Sequence, residues 1–446
     1  MDRNPSPPPD TADGEKTEAG DAIGETVYSK HWLFSTLTRL IQMVTKHEDE
    51  ESDTQMQLAD DEEEDLCRVW DMAMDKDVAG FLQEFKAADI LLGVIAKSQS
   101  PRLTEICVGI LGNIACFPDT CVALSQNEDL GMVLLLLLGD SDPPTLLETS
   151  RMLLTCVSQR DARELWIDRI RQQSSVCTSL CFIMCSSTNL DLLMKVGELV
   201  DKLFDLDEEL MKSWITAQLR EADDSESHLD VAASLLEAAK QLRSESPGGL
   251  EVYLHVLELL TTTDEGMQMF ATPDGPGKAV WDFLCEVVCE DLCQPDDPPL
   301  ILQEQKVLLV QALAVLSALY RLQHQWNSTV DSCLPLVGSI LRVLLYHSEY
   351  LENKAPSNAT DDDKPKYDQL QALQETTAEF LAEIIHSLLK EEVAELVKSQ
   401  YLTQQTCQAA VGSLLPQFKP ALEQLASLLT DADPQLADDM RKRLCA

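Results

Sequence analysis

Basic residues are scarce: 34 lysines and arginines stand against 77 aspartates and glutamates, a formal charge of −43 over 446 residues. A field of that sign repels the phosphate backbone that a nucleic-acid binder must neutralise, and it disfavours anionic membrane surfaces on the same grounds. It attracts basic peptides and basic protein tails. Long apolar runs are missing too. The longest strongly apolar stretch, residues 132–138, falls far short of the ~20 residues that span a bilayer. Residues 1–20 are Pro-rich and acidic without an apolar core segment, so no secretory signal is expected there and the chain is expected in the cytosol or nucleus. The sequons at Asn327 and Asn358 are then chance matches. Aromatics make up only 5% against 45% hydrophobic residues overall, a usage that suits helix seams better than strands.

Catalytic motifs are absent as well. Gly277-Lys278 is followed by Ala279, and Thr272 stands where a phosphate loop needs its leading glycine. The seven histidines are scattered without a metal-ligand pair at one-turn spacing. No Gly-x-Ser-x-Gly elbow exists, and Asp361 to Asp363 lack the glycine and closing glutamate of a calcium loop. No catalytic residue, metal ligand or cofactor is therefore expected. An enzyme built from dispersed residues survives only as an alternative.

Cysteines, in contrast, number fourteen. In a reducing compartment a large chain is expected to carry them as free, mostly buried thiols. Cys177, Cys181 and Cys185 lie four apart, as do Cys285, Cys289 and Cys293, which stacks each trio on one helical stripe. Such spacing on a straight helix cannot surround a zinc ion unaided.

Helical periodicity runs through most of the chain. Residues 1–27 hold prolines and acids with no apolar period and predict a disordered tail. In 28–46 the set Trp32, Leu33, Leu37, Leu40, Ile41 and Val44 recurs at intervals of three and four, predicting a docking helix. Residues 47–65, acid-rich and lacking basic residues from 48 on, predict an extended linker. Residues 66–349 then carry helices that repeat. In 101–116, Pro101 suits a first helical position, and Leu103, Ile106, Cys107, Ile110, Leu111 and Ile114 make one stripe. Gly109 and Gly112 in the same helix argue that a neighbouring backbone needs the space, since each sacrifices about 1 kcal/mol relative to Ala.

A shift of about 43 residues lays Pro144 on Pro101, Glu148 on Glu105 and Leu154 on Leu111, each helix preceded by another. Looser copies begin near Val176 and Val280. Asp-Pro-Pro recurs at 142–144 and 297–299, where the Asp can cap one helix and the prolines stop one helix and start the next. Residues 350–368 read as an acidic disordered insertion, and 369–446 as further repeats and a cap. The fold class that follows is all-α: an armadillo/HEAT-type superhelical repeat, or α-solenoid, of helix pairs with disordered acidic segments.

Several runs carry a resemblance. Residues 28–34 (YSKHWLF), 68–72 (RVWDM), 105–113 (EICVGILGN) and 140–151 (DSDPPTLLETSR) resemble the serum amyloid A-like family of armadillo-type proteins, and so do 197–207 and 296–306. The resemblance spans most of the chain in order. It implies a nuclear protein that promotes cell proliferation, with inflammatory stimulation as its context, and no kinship with serum amyloid A itself. Importin-like armadillo proteins grip basic peptides with a Trp and an Asn four residues apart. Here the corresponding pairs are Gly109 with Asn113, Met152 with Cys156, and Ala314 with Ala318, so only Asn113 survives and no tryptophan does.

The expected function is thus a non-enzymatic scaffold holding an unidentified protein partner; the acidic charge would suit a basic one and equally serves plain solubility. Its concave surface would be lined by exposed positions such as Glu105, Asn113, Glu148 and Arg151. The alternative of an acidic adaptor for basic cargo in nuclear transport has the charge in its favour and the missing ladder against it.

Overall fold

The computed structural model describes residues 20–49, 58–221, 230–293, 304–326, 333–353, 364–415 and 417–445. These form helices, with one isolated antiparallel bridge between Ala22 and Ser29. Contacts divide the chain into two compact units, Met1–Val176 and Cys177–Ala446.

The first unit begins with a turn where a disordered tail was expected. Ile23 is fully buried, and Asp21 accepts from the Ser29 hydroxyl and from the His31 N–H at 2.9 Å. Those two bonds hold the Asp21 carboxyl below its ordinary value. Gly24 adopts a φ of 55°, and a side chain there would run into the Asp77 carboxylate, which accepts instead from Glu25 N at 3.1 Å. Residues 1–19 of the expected tail lie outside the described residues. Helix α1 (Lys30–Asp49) follows and buries Leu33, Leu37, Leu40 and Val44, while Ile41 of the expected stripe faces solvent.

The repeat then runs as α2 (Asp60–Met72), α3 (Lys76–Glu84), α4 (Ala87–Lys97), α5 (Pro101–Ile114), α6 (Pro118–Ser125), α7 (Glu128–Leu137), α8 (Pro143–Ser158) and α9 (Arg163–Gln172). Its unit is a triplet of a long, a short and a medium helix, where the sequence predicts a pair. The overlooked members α3, α6 and α9 span only eight to ten residues, too few turns for an apolar period to show. The linker also differs from expectation: Asp60, Asp61, Glu62 and Glu63 fill the first turn of α2, where the positive end of the helix dipole offsets their repulsion. Residues 50–57 of that stretch lie outside the described residues.

Capping follows the sequence logic. Pro101 and Pro143 each occupy the first turn of their helix. Asp142 caps α8, accepting from Thr145 N at 3.0 Å and from its hydroxyl at 2.8 Å, an arrangement that contributes about 1 kcal/mol. The second Asp-Pro-Pro lies outside the described residues.

The second unit continues with α10 (Ser175–Ser186), α11 (Leu190–Leu206), α12 (Glu208–Glu221), α13 (Val231–Leu242), α14 (Pro247–Thr261), α15 (Asp264–Ala271) and α16 (Gly277–Glu286), which runs into a π turn at Val287–Leu292. Next come α17 (Lys306–Tyr320), a 3₁₀ turn at Gln323–Gln325 in place of a short helix, α18 (Leu334–Asn353), α19 (Lys364–Ser387), α20 (Lys390–Lys398), α21 (Gln404–Leu414), α22 (Lys419–Ala432) and α23 (Pro434–Leu444). The long helices pack in succession, α11 on α14, α14 on α17, α17 on α19 and α19 on α22. Each buries its apolar stripe against its neighbours, the packing logic of an α-solenoid. The acidic insertion expected over 350–368 is helical at both margins, with 354–363 outside the described residues.

Candidate functional site

The four residues expected on a binding groove lie on α5 and α8, and the structure brings them together with residues of α2. Asn113 is 5% exposed, and its Nδ2 donates to the main-chain carbonyl of Trp70 at 2.8 Å. This corrects its expected exposure. An amide spent on the preceding long helix is not available to hold the main chain of a bound peptide, so the last member of the Asn ladder serves the fold.

Arg151 likewise reaches backward. Its Nη2 donates to the carbonyl of Gly109 at 3.1 Å and its Nε donates to Glu148 at 2.7 Å. Gly112 leaves room for that guanidinium, since a carbon there would sit 2.8 Å from Nη2. Gly109 leaves room for the Trp70 indole. The two glycines therefore admit side chains from the flanking long helices, where the sequence argued for a neighbouring backbone.

Glu105 accepts from Arg102 Nη1 at 2.7 Å, and Arg102 Nε donates to Glu63 of α2 at 2.8 Å. Burial works against the Arg102 charge, but the bonds to Glu105 and Glu63 outweigh it and hold the guanidinium firmly protonated. The result is one polar row across three consecutive long helices: Glu63, then Arg102 and Glu105, then Glu148 and Arg151. Side-chain exposure grades from 12% at Glu148 and 15% at Glu105 to 26% at Arg151 and 40% at Arg102. The row is half sunk in the surface, with each charge oriented by another.

Further bonds between α5 and α8 mark the repeat directly. Thr145 donates to the Pro101 carbonyl at 3.4 Å and Gln159 to the Cys116 carbonyl at 3.2 Å. Together with the Asn113 and Arg151 bonds these join residues 42 to 44 positions apart. Sequence reasoning found that period but missed Glu63, Trp70, Arg102 and Gln159. The available signal was each one's separation of about one repeat from a partner able to receive it.

The second unit repeats the device with other residues. Tyr253 lies over Gly197 and donates to the Leu193 carbonyl at 2.7 Å, and burial pushes its phenol well up. His255 Nδ1 meets Asp201 Oδ1 at 2.5 Å, a bond that raises the histidine above its ordinary value.

Burial raises the thiols of Cys67 and Cys116 along the row, which removes nucleophilic thiolate at neutral pH. The first cysteine trio sits on α10 as expected, although Cys185 is exposed, whereas the second departs from one straight helix: Cys285 lies on α16, Cys289 in the π turn and Cys293 just past its end. Among the described residues no helix is long and apolar enough to cross a membrane.

Comparison with known proteins adds to this picture. A family model described as the SAAL1 C-terminal domain matches residues 176–422. Protein saal1 of Danio rerio is 61% identical over 443 residues, covering 99% of this chain and 93% of that protein. Protein SAAL1 of Homo sapiens is 48% identical over 467 residues, covering 99% and 98%. Among solved structures, a designed armadillo repeat protein aligns with 64% of this chain and 99% of its own at 14% identity, with a TM-score of 0.42.

Proposed function

The chain belongs to the SAAL1 family, and from that premise we propose that it is a non-enzymatic helical-repeat scaffold that binds a protein partner through the polar row of α2, α5 and α8. The observation that carries the reading is a pair of oriented charge groups, Arg102 held between Glu63 and Glu105, and Arg151 held by Glu148 and the Gly109 carbonyl. Immobilising a long side chain on binding costs about 0.5–1.5 kcal/mol, and side chains already held by internal bonds avoid much of it. The net charge of −43 favours a basic partner over nucleic acid or an anionic membrane. The nuclear setting and the promotion of proliferation implied by the resemblance belong to the same proposal.

Cross-linking mass spectrometry on full-length protein recovered from dividing cells tests the reading. Partner cross-links are expected to concentrate on lysines and carboxylates flanking residues 60–72, 101–114 and 143–158. Cross-links confined to other segments would remove the row from the interface.

A further inference from the structure

In the second unit, α18, α19 and the turn from α21 into α22 enclose an open cleft of about 310 Å³. That volume is at the low end of the ~300–1,000 Å³ typical of ligand pockets, the size for one side chain rather than a cofactor. Leu370 and Ala378 give it an apolar wall and Phe418 an aromatic one. His347 lines the cleft at only 4% exposure, and none of the described residues hydrogen-bonds to its ring. Its ring nitrogens are not wholly shut off from solvent, so they open onto the cleft, where a polar group can reach them.

The remaining lining is rich in acceptors. Among the described residues that line it, Glu375 is the one carboxylate, and no lysine or arginine joins it. Gln371 donates to Glu375 Oε1 at 2.8 Å, which orients the carboxylate and leaves its second oxygen open. Gln374 contributes a further amide carbonyl. Burial lowers the His347 pKa, so its imidazole is neutral at pH 7 and presents one acceptor nitrogen. Among the described lining residues an anionic ligand would meet a carboxylate and no countercharge. A planar cation with several donors and no acceptor matches the set, and a guanidinium can also stack on Phe418.

We propose that this cleft receives an arginine side chain from a basic segment of a partner protein, with the guanidinium on Glu375 and the glutamine carbonyls and the stem against Leu370 and Ala378. The site belongs to the second unit and is separate from the polar row of the first, so it stands or falls independently of the function proposed above.

Saturation-transfer NMR and calorimetry of full-length protein with acetyl-Gly-Arg-Gly-amide supply the test, with the citrulline peptide as its neutral isostere. Arginine is expected to bind saturably and about tenfold more tightly than citrulline, the scale of one charge-assisted hydrogen bond. Glu375→Gln, an exposed and isosteric change, is expected to erase that preference. Gln417→Glu, which adds a carboxylate at the rim, is expected to tighten arginine binding about threefold by the scale of an exposed charge pair. Equal binding of the two peptides, arginine binding unchanged in Glu375→Gln, or no saturable binding of either peptide would overturn the assignment.

Discussion

The indole of Trp70 on α2 occupies the space that a side chain on Gly109 of α5 would fill: a carbon there would lie 2.1 Å from two atoms of the ring. Helix propensity alone favours Gly109→Ala by about 1 kcal/mol. The overlap opposes it, since overpacking of this kind costs about 1–3 kcal/mol. Gly109→Ala is therefore expected to lower the urea midpoint in the native background and to become neutral or stabilising in Trp70→Ala. A double-mutant cycle on these two positions reads the coupling.

Asn113 carries a second expectation. Asn113→Ala removes the donor to the part-buried Trp70 carbonyl and is expected to cost about 1–2 kcal/mol of stability. Because its amide faces another helix, partner affinity measured on the folded fraction should stay unchanged. A binding defect without loss of stability would return Asn113 to the interface.

Two histidines give pH dependences of opposite sign. His255 is raised by its bond to Asp201, so its contribution is complete below about pH 6.5 and is lost as pH climbs through its folded value. His347 is lowered by burial, so stability is lost as pH falls below about 6.5, where the unfolded chain takes up the proton first. Denaturation midpoints measured from pH 5 to 8 should therefore lose their alkaline decline in His255→Asn and soften their acid decline in His347→Asn.

The thiols divide by burial. Cys185 and Cys445 are exposed, whereas Cys107, Cys121, Cys156, Cys181, Cys293 and Cys407 are buried. Burial pushes Cys293 and Cys407 up to about 12, leaving a negligible thiolate fraction at pH 8. An aromatic disulfide reagent should label the two exposed thiols first and reach the six buried ones only on unfolding.

Much of the architecture was legible in the residues because long helices advertise themselves. The stripe of α5 and the 43-residue shift that aligns Glu148 with Glu105 follow from apolar period and proline placement. The helices α3, α6 and α9 were illegible, for two turns cannot establish a period. The acidic start of α2 misled for another reason: its repulsion was visible in sequence, but the dipole that offsets it exists only once the helix has formed. At the candidate site, sequence reasoning expected Glu105, Asn113, Glu148 and Arg151 as exposed positions of α5 and α8, and the structure buries Asn113 against α2. Whether Asn113 and Arg151 point outward or back to a preceding carbonyl depends on how neighbouring helices pack, where Gly109 and Gly112 leave room for the Trp70 indole and the Arg151 guanidinium.

The claim that the row of α2, α5 and α8 is a binding surface is tested most directly by the affinity of a cross-linked partner for full-length protein carrying Glu105→Gln with Glu148→Gln. Glutamine keeps an acceptor for Arg102 and Arg151 while removing both charges, so the fold should persist. The account predicts at least about a tenfold loss of affinity, the scale of removing oriented interfacial charges, with the thermal midpoint nearly unchanged. Undiminished affinity in the folded double variant would contradict it.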